Sequence, residues 1–252
     1  MNNKLVYEVN RRGEIQAYLD NFIVMGDPHI PQQDDIVLDA IIEDGINCNI
    51  CNLVINGDFS NSDVFSEFAR KQSNASWELE KQECRKIMKK FQNVFENIFF
   101  ILGNHDARLL RKTNYSFKLD DLLRILVDDY NPNQIIATEY DHILVNDDWL
   151  ICHPHEYSRI AGSKAKQMGE KYGRNTIVGH SHILSHSIIG NNGNNRHYID
   201  GGCALDFDKV EYEVMNTSTF TQWAKGYVKI INGYPFVQGF KEFKTNKSVR
   251  VW

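Results

Sequence analysis

The chain is 252 residues long, 42% hydrophobic and 24% charged, with a net charge of −5. A chain of that length buries about 70% or more of its unfolded surface, so it needs no disulfide or metal staple merely to fold; its composition excludes disorder and a coiled coil. No apolar run approaches the ~20 residues of a membrane span, and the opening MNNKLVYEVNRRGEIQ lacks the apolar stretch of a secretory signal. The acidic balance is not that of a general nucleic-acid coat. It leaves a nuclease open, because a metal site supplies local positive charge. Cys48, Cys51, Cys84, Cys152 and Cys203 form an odd set without framework spacing, which points to reduced thiols in a cytoplasm. Abundant Asn, Lys and Ile lean towards an AT-rich coding genome, that of a low-GC bacterium or its phage, so the expected compartment is a bacterial or phage-infected cytoplasm.

Short apolar runs alternate with helical stretches, the α/β pattern. Phe22–Met25 reads as a buried strand ending in Gly26-Asp27. A helix is expected from Asp34 or Asp35 to about Asp44, stopped by Gly45. Leu53–Ile55 is the next strand, ending in Asn56-Gly57-Asp58. Residues 62–96 are polar with helical periodicity and read as two helices joined near Ser73-Asn74. Ile98–Leu102 is a third strand, ending in Gly103-Asn104-His105-Asp106, and a helix around 117–129 follows. Ile143–Val145 and Trp149–Cys152 then flank Asn146-Asp147-Asp148 as a hairpin. Residues 161–172 read as a basic helix, and Thr176–Val178 as a strand ending in Gly179-His180-Ser181-His182. Ile183–Ile189 and Arg196–Ile199 surround a Gly/Asn loop, Gly190–Asn195. Gly226–Ile231 and Tyr234–Gly239 surround Asn232-Gly233, a type I′ hairpin signal. A helix-rich first half and a hairpin-rich second half predict two packed sheets with helices outside, in one domain.

Chemistry-bearing residues gather at the strand ends. Asp27-Pro28-His29, Asp58, Asn104-His105-Asp106 and His180-Ser181-His182 each follow an apolar run, and Cys152-His153 closes a fifth. Ligand sites of open α/β sheets lie outside the carboxyl ends of the strands. Loops converging there bring together two Asp, one Asn and four His. Mixed oxygen and imidazole donors suit Mn²⁺, Zn²⁺ or Fe, not Ca²⁺. Seven ligands exceed the needs of one ion and match two ions sharing a carboxylate.

With these five blocks in this order, the sequence resembles the calcineurin-like metallophosphoesterase superfamily. Its signature of D-x-H, G-D-x-x-(D/N), G-N-H-(D/E), a lone His and G-H-x-H is matched here. The matches are Asp27-Pro28-His29, Gly57-Asp58-Phe59-Ser60-Asn61, Gly103-Asn104-His105-Asp106, His153 and Gly179-His180-Ser181-His182. The resemblance implies an α/β fold, a four-layer α/β/β/α sandwich of two mixed sheets flanked by helices, formed by residues 1–252 as a single domain. It implies two divalent transition-metal ions, Mn²⁺ first, with Fe, Zn or Ni as alternatives. Asp27, His29, Asp58 and His182 would hold one ion, and Asp58, Asn104, His153 and His180 the other, with Asp58 bridging. The implied reaction is attack of a metal-bridging hydroxide on a phosphate ester, with His105 as acid and Asp106 orienting His105.

The second block lacks the Asp-Arg-Gly ending of the family's protein phosphatases, and the third ends in Asp rather than Glu. Those departures move the expectation towards phosphodiesters, nucleotide or nucleic acid, ahead of a phosphomonoesterase or protein phosphatase. The His that repair nucleases carry in the second block is missing too, so that branch gains no support. An inactive metal-binding scaffold is the rival of another class. Arg108, in a stretch with Arg111 and Lys112, and His155, two residues after His153, are the candidate substrate contacts. The locally basic 159–174 segment reads as a solvated helix face, Cys48-x-x-Cys51 as structural thiols without a second pair, and His142, His186 and His197 as structural. No membrane contact is expected.

Overall fold

Alternation along the strands sorts the core into layers. The computed structural model describes residues 6–67, 76–191, 194–210, 222–243 and 247–250. In chain order the strands are β1 (Tyr7–Val9), β2 (Ile15–Ala17), β3 (Phe22–Met25), β4 (Asn52–Asn56), β5 (Asn97–Ile101), β6 (Ile135–Thr138) and β7 (His142–Val145). They continue with β8 (Trp149–Cys152), β9 (Asn175–Val178), β10 (Leu184–Asn191), β11 (Asn194–Gly201), β12 (Gly226–Ile231), β13 (Tyr234–Phe243) and β14 (Lys247–Arg250). The helices are α1 (Asp35–Asn47), α2 (Trp77–Gln92), α3 (Ala107–Lys112), α4 (Leu119–Leu126) and α5 (Ser163–Tyr172). One sheet runs β1-β2-β7-β8-β9-β11-β10 and the other β14-β13-β12-β3-β4-β5-β6. Both are mixed. β3 through β6 are parallel, with β12 antiparallel to β3; in the other sheet β8 and β9 are parallel and β7 antiparallel to β8.

Successive strand residues point to opposite faces. Phe22, Val24, Val54, Phe99 and Ile101 of one sheet therefore meet Ile143, Val145, Trp149, Ile151, Ile177 and Ile199 of the other in a core between the sheets. Their neighbours Ile23, Met25, Leu53, Ile55, Ile98 and Phe100 face outward, onto Leu38 and Ile41 of α1, Ile87 and Phe91 of α2 and Leu122 of α4. Leu150, Cys152, Val178 and Tyr198 likewise face Ala165 and Met168 of α5. The result is helix, sheet, sheet, helix, the four layers expected. Among the described residues no helix is long and apolar enough to cross a membrane.

Local differences from the sequence reading have physical causes. Helix α1 does not stop at Gly45 but runs to Asn47, and Asn49 takes the left-handed conformation just beyond it. Gly45 serves packing instead, since a Cβ there would lie 2.9 Å from the Phe95 ring. Between β4 and β5 the described part of the first predicted helix holds a 3-10 turn at Asp63–Phe65, and residues 68–75, with Ser73-Asn74, lie outside the described residues. The helix around 117–129 is shorter, ending where Val127 turns extended. Strands β10 and β11 run into the segment read as the Gly190–Asn195 loop. Strands β1, β2 and β6 have no counterpart in the sequence reading. They are three or four residues long, too short for a periodicity signal.

Phe99 is fully buried between the sheets. The Phe99→Ala substitution is expected to cost about 3–5 kcal/mol, read as a lower urea midpoint with an unchanged slope.

Candidate metal centre

Five loops leave the carboxyl ends of β3, β4, β5, β8 and β9 and meet at one point between the sheets. They approach so closely that three blocks need their glycine. A Cβ on Gly103 would lie 2.0 Å from the Asp58 nitrogen, one on Gly57 2.3 Å from His153 Nδ1, and one on Gly179 2.9 Å from the Asn56 carbonyl oxygen. Five ligand-type residues adopt the left-handed region: Asp27 (φ +54°), His29 (+45°), Asp58 (+50°), His180 (+72°) and His182 (+57°). Each such non-glycine residue costs of the order of 1–3 kcal/mol, which the surrounding packing must hold. The left-handed kink turns each side chain out of its strand direction and towards the centre.

The side chains form a continuous row. His182 Nε2 lies 3.2 Å from Asp27 Oδ1 and 3.1 Å from His29 Nε2. His29 Nε2 lies 3.7 Å from Asp58 Oδ2. The same Asp58 oxygen is 3.4 Å from His153 Nε2, which is 3.2 Å from Asn104 Oδ1. Asp27, His29 and His182 converge as one group, and Asp58, His153 and His180 as another. Asp58 Oδ2 thus faces both ends, the placement of a bridging ligand. All seven expected ligands come together here.

The donor set fits cations. Asp27 Oδ1 is buried without a hydrogen-bond partner among the described residues, while Asp27 Oδ2 accepts the His180 amide at 3.0 Å. Asp58 Oδ1 accepts the His105 amide at 2.7 Å, leaving Oδ2 for the centre. His153 Nδ1 donates to the Asn56 carbonyl at 2.8 Å, which aims Nε2 inward. Asp27, His29, Asp58 and His182 would hold one ion, and Asp58, Asn104, His153 and His180 the second.

Without cations the charges settle among the side chains. Burial opposes a proton on His153, but the Asp58 carboxylate beside it, with Asp27 behind, overrides burial and pushes His153 up to about 10. Burial and the positive His153 hold His180 down to about 4, and burial together with neighbouring imidazoles holds His29 well below its usual range. Burial raises the Asp58 carboxyl, yet the surrounding imidazoles outweigh it and keep it ionised.

His105 lies against this row, close enough to His29 and Asp58 to count among the converging groups. Its Nδ1 lies 3.2 Å from His29 Nδ1, and both its nitrogens also have partners outside the row. Nδ1 lies 3.0 Å from the Asn61 carbonyl and 3.1 Å from Asn61 Oδ1. Nε2 lies 3.0 Å from an Arg108 guanidinium nitrogen. Arginine only donates, so Nε2 accepts and the proton sits on Nδ1. Burial and the Arg108 charge lower the His105 pKa, consistent with a neutral ring.

Asp106 does not orient His105, contrary to expectation. Its Oδ1 accepts Ser60 N and Ser60 Oγ, both at 2.8 Å, and its Oδ2 accepts Phe59 N (3.2 Å) and Gly103 N (3.1 Å). Asp106 ties the β4 and β5 loops together, and burial beside Asp58 raises its pKa. The residue touching the His105 ring is Asn61, at the end of the second block. Behind it, buried Glu80 of α2 accepts the Ser62 amide at 2.6 Å and is pushed up to about 8 by burial and by neighbouring Asp63 and Asp106. Asn61 is visible in its block without an assigned role; Glu80 carries no local signal.

Arg108 is at the site but occupied, since its guanidinium also donates to Asp63 Oδ1 and the Asn61 carbonyl, each at 2.8 Å. His155 stands on an exposed loop and does not join the cluster. Two aromatic rings do reach the ligands: Tyr157 packs edge-on to His180 (centroids 5.4 Å) and Trp223 to His182 (4.4 Å). The 159–174 cations lie largely in surface pairs, Lys164 with Glu156, Lys166 with Glu170 and Arg174 with Asp147. His142 is clasped by Asp141 and Glu14, and His186 by His197, away from the centre.

The model of one family, calcineurin-like phosphoesterase, matches residues 21–214. The chain belongs to that family. No curated protein matches it. Among solved structures, a single mutant of Vps29 from Entamoeba histolytica is similar at 10% identity, covering 92% of this chain and 98% of the other, with a TM-score of 0.48. Yfce, a phosphoesterase from E. coli, is similar at 12% identity, covering 84% and 88%, with a TM-score of 0.41. The Pseudomonas putida nuclease MPE is similar at 15% identity, covering 92% and 99%, with a TM-score of 0.36.

A ligating imidazole must be neutral. Mn²⁺ entry at the site that includes His153 is therefore expected to expel its proton, releasing about one proton per molecule at pH 7–8. Affinity should rise with pH, by up to tenfold per unit, until about pH 10. Calorimetry in buffers of different ionisation enthalpy measures the proton count; no release would show His153 to be neutral or outside the metal site. Asp58→Asn should lose both ions more readily than Asp27→Asn, by elemental analysis after dialysis.

Proposed function

We propose that this chain is a two-metal phosphodiesterase that cleaves nucleotide or nucleic-acid phosphodiesters. One observation carries the reading: Asp27, His29, Asp58 and His153 lie in one row with Asn104, His180 and His182 beside it, and a further imidazole, His105, held by Asn61 and Arg108, lies against it. Two divalent ions, Mn²⁺ first, would supply an activated water and neutralise charge on the phosphoryl oxygens. The protein residues do the remainder. Asn104 offers a neutral oxygen, which limits the negative charge that a phosphate must meet. Asn61 holds the His105 ring through Nδ1, so that Nε2 is aimed by a fixed partner. Arg108 caps that Nε2 in the free protein. An incoming phosphate competes for the guanidinium, and its transfer from His105 to a phosphoryl oxygen frees Nε2 to take up a proton from water; the resulting imidazolium, still held at Nδ1 by Asn61, passes that Nε2 proton to the leaving oxygen and returns to the neutral ring. Burial of the centre strengthens each of these interactions. The diester preference rests on the second block, which ends in Asn61 without the Asp-Arg-Gly of the protein phosphatases. All five cysteines are free thiols, which supports a reducing cytoplasm as the compartment.

The direct test is hydrolysis by Mn²⁺-loaded protein of bis-p-nitrophenyl phosphate against p-nitrophenyl phosphate. Faster cleavage of the diester is expected; faster cleavage of the monoester would reverse the preference. Cleavage of neither ester by fully loaded protein would make the chain a metal-binding scaffold. His105→Ala should keep both ions and lose about 10²–10⁴-fold in kcat on a diester with a poor alkyl or nucleoside leaving group. The loss should shrink for p-nitrophenolate, which needs little protonation. Loss of metal in this variant would instead make His105 a ligand.

A further inference from the structure

The loop between β8 and α5, residues 153–162, is fixed at both ends and carries Tyr157. At one end His153 enters the metal centre and Pro154 follows, buried. At the other, Gly162 N donates to Asp200 Oδ2, and the same buried oxygen takes Ser185 Oγ at 2.7 Å. Within the loop Ile160 N donates to Ser158 Oγ at 3.0 Å, and Ser163 N to the Ile160 carbonyl at 3.1 Å. Tyr157 is 55% exposed, yet its ring packs edge-on to His180 at 5.4 Å between centroids. An exposed tyrosine thus stands one ring away from a residue that would hold a cation and, through it, a phosphate. At the opposite end of the ligand row Trp223 meets His182 in the same edge-on manner. A phosphodiester has an ester group on either side of its phosphorus, and each end of this row carries an aromatic ring.

We propose that Tyr157 is a nucleobase-stacking platform, so that the diester cleaved here belongs to a nucleotide or a single-stranded nucleic acid. The inference rests on the phosphodiesterase reading. Every base has a π face, so stacking gives affinity without demanding a sequence. Bases inside a duplex are stacked on one another and offer no free face, which selects single strands over double strands.

The experiment uses Mn²⁺-loaded full chain and two substrates with one leaving group, thymidine 5′-(p-nitrophenyl phosphate) and methyl p-nitrophenyl phosphate. The variants are Tyr157→Phe, which keeps the ring, and Tyr157→Leu, which keeps bulk over His180 but removes the π face. Metal content is measured for both. Tyr157→Leu is expected to lower the thymidine-to-methyl ratio of kcat/KM by about tenfold, and Tyr157→Phe to keep it. An equal ratio in wild type and Tyr157→Leu overturns the platform. If the wild type cleaves neither substrate, the phosphodiesterase reading fails on its own, and binding decides the platform. Fluorescence anisotropy with a labelled octathymidylate should then show about tenfold weaker binding by Tyr157→Leu than by Tyr157→Phe, and a duplex of the same length should bind more weakly than the single strand. Equal binding by the two variants overturns it.

Discussion

The Asp58 carboxylate sets the geometry around it. It is buried at the meeting point of five loops, with Oδ1 held by the His105 amide and Oδ2 turned to His29 and His153. A buried carboxylate is tolerated only with positive charge and hydrogen bonds close by. Here the protonated His153 supplies that charge without cations, and two divalent ions would supply it with them. The packing is equally constrained, since the β4 and β5 loops pass so near each other that residue 103 has no room for a side chain. A small displacement of either loop would separate Asp58 from the groups it joins.

That crowding accounts for the strained backbone. Five ligand-type residues in the left-handed region are a strain that no isolated loop would sustain. Two buried carboxyl groups hold the turn from behind, Asp106 across Phe59, Ser60 and Gly103, and Glu80 at Ser62. The layered core supplies the rigidity on which this strain rests. Stability and site geometry are therefore coupled through residues that never meet a substrate.

Much of this was legible in the sequence because the five blocks combine residue types that only a metal site needs together. Strands β3, β4 and β5 were equally readable, being buried on both faces and so nearly all apolar. The illegible part was tertiary. Gly45 looks like a helix stop until Phe95 is seen against it. Asp106 follows His105 in sequence, yet points away from the ring and into the β4 loop. Asn61 reaches His105 across 44 positions, and Tyr157 meets His180 from another loop. His155, singled out for its nearness to His153 along the chain, is turned out to solvent, because the chain leaves the sheet at Pro154. Adjacency in sequence misleads wherever the backbone turns sharply.

The ligands are contributed by both sheets, and the contact between His29 and His182 spans 153 positions. Such separation makes the site a late event in folding, since distant segments must dock before their contacts offset the loop closure. A chain emerging from the ribosome exposes Asp27, His29 and Asp58 long before His180 and His182 exist to complete either group. A cation met early would find only part of either group. Full loading would await the docking of β8 and β9 against the sheet of β3, β4 and β5, so the centre would form only in a molecule whose two halves have already found each other.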